Sequence, residues 1–200
     1  MRVGVVGGTF DPIHRGHLAM AEVARHCCDL ERILIIPAAD PPHRVPAIAT
    51  AEHRLAMCQL AVRGHPHLEV RELELQRVGP SYTVDTLNQL QMELPQAELH
   101  LILGWDAAHE LPSWERWEEV LRRARLVVVP RHGRSLPTEL ELSRLGVPLD
   151  RYRITAAVTP AVGATKIRSL LRNREFELAR PMLTPEVADY ILEHDLYVER

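Results

Sequence analysis

Cysteine is scarce in this 200-residue chain, and what there is has no pairing pattern: Cys27 and Cys28 are adjacent, Cys58 stands alone, and there is no C-x-x-C. An odd count of three argues against a disulfide framework and predicts small, half-buried thiols in a reducing, cytoplasmic setting. Long apolar runs are also missing. Nothing approaches the roughly 20 residues needed to span a bilayer, so no membrane partner is expected. The chain opens as a strand rather than with a signal-peptide pattern, so export is not expected either. A strong charge of one sign is absent too: the net charge is −3 with histidine neutral, which leaves no basic field to attract nucleic acid. Two familiar phosphate loops are lacking. There is no G-x-x-x-x-G-K-[ST], and Gly4, Gly7 and Gly8 have the wrong spacing for G-x-G-x-x-G. The second strand runs into Pro37 instead of an acid, so both a P-loop and a hydride-transfer cofactor site are disfavoured.

What is present is concentrated near the start. The apolar run Val3-Gly4-Val5-Val6 reads as a short buried strand, and Leu18 to Arg25 has helical spacing. Between them lies Gly7-Gly8-Thr9-Phe10-Asp11-Pro12-Ile13-His14-Arg15-Gly16-His17. A glycine-rich turn between a strand and a helix gathers backbone N–H groups at a helix N-terminus, a place that favours phosphates. His14 and His17 add side-chain donors, and Gly16 allows a close backbone approach. The competing readings are a satisfied polar turn or half of a zinc site, but no well-spaced third and fourth ligand is evident.

Further along, Arg32 to Ile36 reads as a strand covered on both faces, closed by Pro37 and followed by a proline-stiffened loop through His43, Arg44 and Pro46. Thr50 is expected to cap a helix running to about Val62. Leu68 to Gln76 alternates apolar and charged residues with a slip at Arg71-Glu72, which predicts two short strands meeting at a bulge or bend. Gly79 to Thr86 is a turn entering a helix that ends near Pro95. Glu98 to Gly104 and Leu126 to Pro130 are further buried strands, with Ser113 expected to cap the helix that carries Trp117. Tyr152 to Ala157 is the last strand, and helices follow from Thr165 and from Thr184-Pro185-Glu186.

This alternation, with no repeat or low-complexity linker, predicts an α/β fold. It is read as one doubly wound, mostly parallel sheet over residues 1–200, with a small helical part from about residue 164. Loops at 7–17, 37–46, 104–106 and 158–165 all leave strand carboxyl ends and should share one crevice.

The stretch from Gly7 to His17 resembles the nucleotidyltransferase superfamily signature G-G-T-F-D-P-x-H-x-G-H at every fixed position. Pro41-Pro42-His43-Arg44, Gly79-Pro80-Ser81-Tyr82-Thr83 with Asp85-Thr86-Leu87, and Leu103-Gly104-Trp105-Asp106 with Trp114 extend the likeness along nearly the whole chain. These segments look like the bacterial-type nicotinate mononucleotide adenylyltransferases. The resemblance implies a Rossmann-like fold and transfer of AMP from ATP to nicotinate mononucleotide, giving deamido-NAD and pyrophosphate, with Mg²⁺ on the triphosphate. It implies that His14 and His17 contact the ATP phosphates and stabilise the reacting phosphoryl group. It places Gly7, Gly8, Thr9, Phe10, Gly104, Asp106, Thr165 and Arg168 with them on ATP, and His43, Arg44, Tyr82, Thr83 and Trp114 on the mononucleotide side. Read without the family, Trp114 is a packing residue, Tyr82-Thr83 a capped turn, His43-Arg44 a solvated loop pair and Asp106 a helix N-cap.

One segment departs from the family pattern I-S-[SA]-T-x-I-R: here it is Val162-Gly163-Ala164-Thr165-Lys166-Ile167-Arg168, with Gly163 in place of the first serine. The lost hydroxyl removes one donor worth about 0.5–1.5 kcal/mol, so ATP binding is expected to survive. Two rival functions stay open at this level. One is pantetheine-phosphate adenylyltransferase, with the same chemistry on another acceptor; the other is a nucleotide-binding sensor without turnover. Oligomeric state, a homo-oligomer included, is not legible.

Overall fold

In the computed structural model, residues 1–40, 46–130, 138–157 and 159–198 are described. The first strand, β1 (Arg2–Gly8), is buried on both faces from Val3 to Val6. It feeds α1 (Arg15–Cys28), and β2 (Arg32–Pro37) then pairs parallel to it. In β2 successive side chains enter opposite cores: Ile33 and Ile35 join one hydrophobic cluster, Leu34 and Ile36 the other. This is why the strand reads as a continuous apolar run instead of an alternating one.

The helix α2 (Ala51–Ala61) follows, with the Thr50 hydroxyl accepting from the His53 N–H as expected of a cap. Next come β3 (Leu68–Val70), α3 (Thr83–Glu93), β4 (Glu98–Gly104), α4 (Trp105–Glu110), α5 (Trp117–Arg123) and β5 (Ala124–Val129). The chain is completed by α6 (Glu139–Arg144), β6 (Tyr152–Ile154), α7 (Ala164–Arg172), α8 (Phe176–Ala179) and α9 (Pro185–Glu193). The six strands form one sheet in the order β3-β2-β1-β4-β5-β6, with every neighbouring pair parallel. Chain direction across the sheet reverses between β1 and β4, so a crevice opens there at the strand carboxyl ends. The first core, with α1, α2, α7 and α9, lies on one face; the second, with α3 and α5, lies on the other.

Three local expectations are corrected. The strand expected from Leu68 to Gln76 stops at Val70. Beyond it the chain turns back through Gln76 N–H to Glu72 C=O and Arg77 N–H to Glu74 C=O bonds, burying both Leu73 and Glu74. Ser113 does not cap α5: it closes a short 3₁₀ turn, donating to the Glu110 carbonyl, and the N-cap position belongs to Arg116 at φ 50°. The last strand ends at Ile154, three residues short of Ala157, because its one ladder, to β5, stops at the Val128–Ile154 pair.

Candidate active site

The turn from β1 to α1 is held by its own residues before any ligand is considered. Phe10 adopts φ 49° with its ring buried, and that ring meets His17 edge-on at 5.0 Å. Asp11 is 5% exposed, and its carboxylate accepts from the Ile48 and Ala49 N–H groups at 2.9 and 3.0 Å and from the Tyr197 hydroxyl at 2.8 Å. Burial and the Asp11 carboxylate push the Tyr197 phenol far up, so it serves as a donor throughout the working range.

His14 is buried at the N-cap of α1 in extended backbone, and its N–H donates to Nδ1 of His17 at 3.3 Å. The two imidazoles stack at 3.7 Å with 17° between their planes. Gly16 makes room for this arrangement: a Cβ there would lie 3.0 Å from His14 Nδ1 and 3.3 Å from the Val162 carbonyl. The approach anticipated for Gly16 is therefore to a histidine ring and to the segment ahead of α7.

That segment brings Thr165 and Arg168 to the same loop. Arg168 donates to the Asp11 carbonyl at 2.7 Å and reaches the Thr165 hydroxyl at 3.5 Å. Gly163 is the N-cap of α7, extended and with open space where a side chain would stand.

Beside this turn a cleft is lined by Gly7, Gly8 and Thr9 together with Tyr82, Thr83 and Trp114. The structure thus brings the glycine turn together with the three described residues expected on the mononucleotide side. Tyr82 is the N-cap of α3 and offers that helix no side-chain cap, so backbone N–H groups of its first turn, which also carries Asp85, stand beside the cleft. Phe10, His14 and His17 continue the turn beyond the cleft lining. Gly104 is the N-cap of α4, between the lining residues Leu103 and Ala107. Asp106 is exposed in the first turn of α4, one position past the start, so capping is not its role. His43 and Arg44 lie outside the described residues.

Four residues of this site were not singled out from the sequence. Arg54, 2% exposed, donates to the carbonyls of Thr9 at 2.8 Å, Ala38 at 2.6 Å and Ala49 at 3.3 Å, joining three loops. A signal for it existed: Arg54 shares a helical stripe with Met57, Cys58 and Ala61, the buried face of α2. Asp11 lay inside the motif itself. Glu74 and Thr86 line the cleft, with the Thr86 hydroxyl donating to Glu74 at 2.7 Å; strand alternation had put Glu74 on the solvent side. Burial raises its pKa against the opposing pull of the Thr86 and Ser81 hydroxyls and of Arg77.

Residues 5–170 match the family model described as cytidylyltransferase-like, which puts the chain in that class of nucleotidyltransferases. A "probable nicotinate-nucleotide adenylyltransferase" of Dehalococcoides mccartyi is 40% identical over 201 residues, spanning 98% of this chain and 97% of its own. One of the same name from Thermomicrobium roseum is 38% identical over 197 residues, spanning 98% and 91%. The chain belongs to the nicotinate-nucleotide adenylyltransferase family. Its fold is shared with the Plasmodium falciparum nicotinic acid mononucleotide adenylyltransferase solved with APC, at a TM-score of 0.80, 16% identity and coverage of 98% and 96%.

Proposed function

We propose that this protein transfers the adenylyl group of ATP to nicotinate mononucleotide, releasing deamido-NAD and pyrophosphate. One juxtaposition carries the reading: a phosphate-type turn with two stacked histidines runs into a cleft walled by an aromatic ring and an uncapped helix N-terminus. The relatives favour this acceptor over pantetheine phosphate. In the reaction a phosphate oxygen of the mononucleotide attacks the α-phosphorus of ATP, the bond to the β-phosphate bridge breaks, and the bridging oxygen leaves with pyrophosphate. Negative charge grows on the α-phosphoryl oxygens and on the leaving group. His14 and His17 supply hydrogen bonds to it, and the turn from Gly7 to Phe10 supplies backbone donors.

Thr165 and Arg168 sit by the same loop and are assigned to the triphosphate, with Gly104 and Asp106 on the nucleoside side. Trp114 stacks on the pyridine, while Tyr82 and Thr83 at the start of α3 face its carboxylate. His43 and Arg44 remain assigned to the mononucleotide side on the family likeness.

Mg²⁺ enters as part of MgATP. Among the described residues no group of three His, Cys, Asp or Glu could hold a metal. Bound with the nucleotide, the ion would neutralise charge on the triphosphate. Among those residues no helix is long and apolar enough to cross a membrane, and all three cysteines are free thiols; we place the reaction in the cytoplasm.

The test is pyrophosphate release from MgATP with and without nicotinate mononucleotide. Release that requires the mononucleotide supports the enzyme; ATP binding with no release overturns it in favour of a sensor.

A further inference from the structure

Glu74 is 6% exposed and lines the cleft that holds Tyr82, Thr83 and Trp114. Its carboxyl takes hydrogen bonds from two walls of that cleft. Thr86, on the first turns of α3, donates at 2.7 Å. The Ser81 hydroxyl also bonds it, while Ser81 Oγ accepts from the Ala39 and Asp40 N–H groups at 3.1 and 3.3 Å. Arg77 donates at 3.3 Å to the Thr86 oxygen and at 3.0 Å to Gln89, not to the carboxylate itself. Glu110 and Glu115 also line the cleft and add no positive charge. Glu74 is thus a carboxyl group in a cleft assigned to a pyridine that carries a carboxylate of its own.

Two carboxylates in one partly dehydrated cleft repel, whereas a carboxylic acid beside a carboxylate donates a hydrogen bond. The ring's own positive charge is common to both acceptors, but the amide-bearing one has no carboxylate to be repelled, and its NH2 can donate to an ionised neighbour. Resting on the adenylyl-transfer reading above, we infer that Glu74 determines acceptor specificity through its proton: un-ionised it favours the nicotinate acceptor over the nicotinamide one, and ionised it opposes that preference. Burial lifts Glu74 above the ordinary carboxylate range, so the un-ionised form persists to higher pH than in a surface glutamate. As pH rises through its titration the preference falls.

The measurement is kcat/KM for nicotinate mononucleotide and for nicotinamide mononucleotide with MgATP, from pH 5.5 to 9, in the wild type and in Glu74→Gln. Both acceptors carry the same ribose phosphate, so its titration, and those of ATP, His14 and His17, cancel in the ratio of the two values. The wild-type ratio is expected to fall as the pH rises, by about tenfold between the acid and carboxylate forms of Glu74, one pKa unit of coupling being a factor of ten. In Glu74→Gln, whose amide imitates the neutral acid, the ratio is expected to be flat and close to the wild-type value at low pH. A flat wild-type ratio, or a slope that survives in Glu74→Gln, overturns the inference.

Should the variant fail to fold, calorimetry on the wild type at pH 8 in two buffers of different ionisation enthalpy decides. Greater proton uptake with nicotinate mononucleotide than with nicotinamide mononucleotide supports the role of Glu74, and equal uptake overturns it. Absence of turnover with either acceptor at every pH is a different result and counts against the adenylyl-transfer reading itself.

Discussion

A single methyl group at position 16 is enough to test how the histidine pair is held. In Gly16→Ala the new Cβ would stand 3.0 Å from His14 Nδ1 with the Val162 carbonyl behind it, so the ring must give way. Misplacing a group in a phosphoryl-transfer site by under an ångström is expected to lower kcat by roughly 10–100-fold, with the melting temperature little changed. Removing a donor outright is harsher: His14→Ala or His17→Ala should cost about 10²–10³ in kcat, read as pyrophosphate release at saturating substrates. A loss confined to KM would assign these rings to ground-state binding instead. Gly163→Ser is a milder case. The open space at the α7 N-cap accepts the hydroxyl, and a serine cap there is worth a few tenths of a kcal/mol over glycine. A small rise in stability with an unchanged KM for ATP would show that the family serine serves the helix and not the phosphates.

Elements were readable in the sequence where one physical signal dominated, and misread where two competed. The β-branched runs of β2 and β5, the Thr50 and Thr184 caps and the Pro185 helix start all stand where spacing put them. The segment after Val70 failed because alternation persists in the letters while the backbone turns, which buried Glu74 where a solvent-facing strand residue was expected. Arg54 was missed because a charge on an apolar stripe has no meaning until the three carbonyls it serves are brought together by tertiary structure. Arg54→Met should therefore cost about 2–4 kcal/mol in urea unfolding, since it strips the donor from buried carbonyls while keeping the apolar stem. At the opposite end of the sheet, on β4, burial holds His100 below the ordinary histidine pKa. The unfolded chain then takes up a proton there at a pH where the folded one does not, so stability present near pH 7.5 is lost as the pH falls through and below the ordinary value. Thermal melts at pH 7.5 and 5.5 are expected to differ less for His100→Gln than for the wild type.

For the molecule as a whole, the parallel sheet and a crevice at its strand carboxyl ends followed from the alternation of strands and helices; the strand order did not, and the meeting of the glycine turn with Tyr82, Thr83 and Trp114 was implied by the family likeness alone. Which long-range bonds tie the site shut did not, because no local pattern announces a partner far away in the chain. Arg168 reaches the Asp11 carbonyl across 157 residues, and Tyr197 reaches its carboxylate across 186. Tyr197→Phe is expected to lower unfolding stability by about 1–2 kcal/mol, as a buried carboxylate loses a donor. The same two bonds have a meaning in time. During synthesis Asp11, in the turn from Gly7 to His17, is made 186 residues before its clasp, Tyr197. At about 5–20 residues per second the interval is roughly 10–40 s. Throughout it the Asp11 carboxylate lacks one of its donors, so a turn made early is locked late.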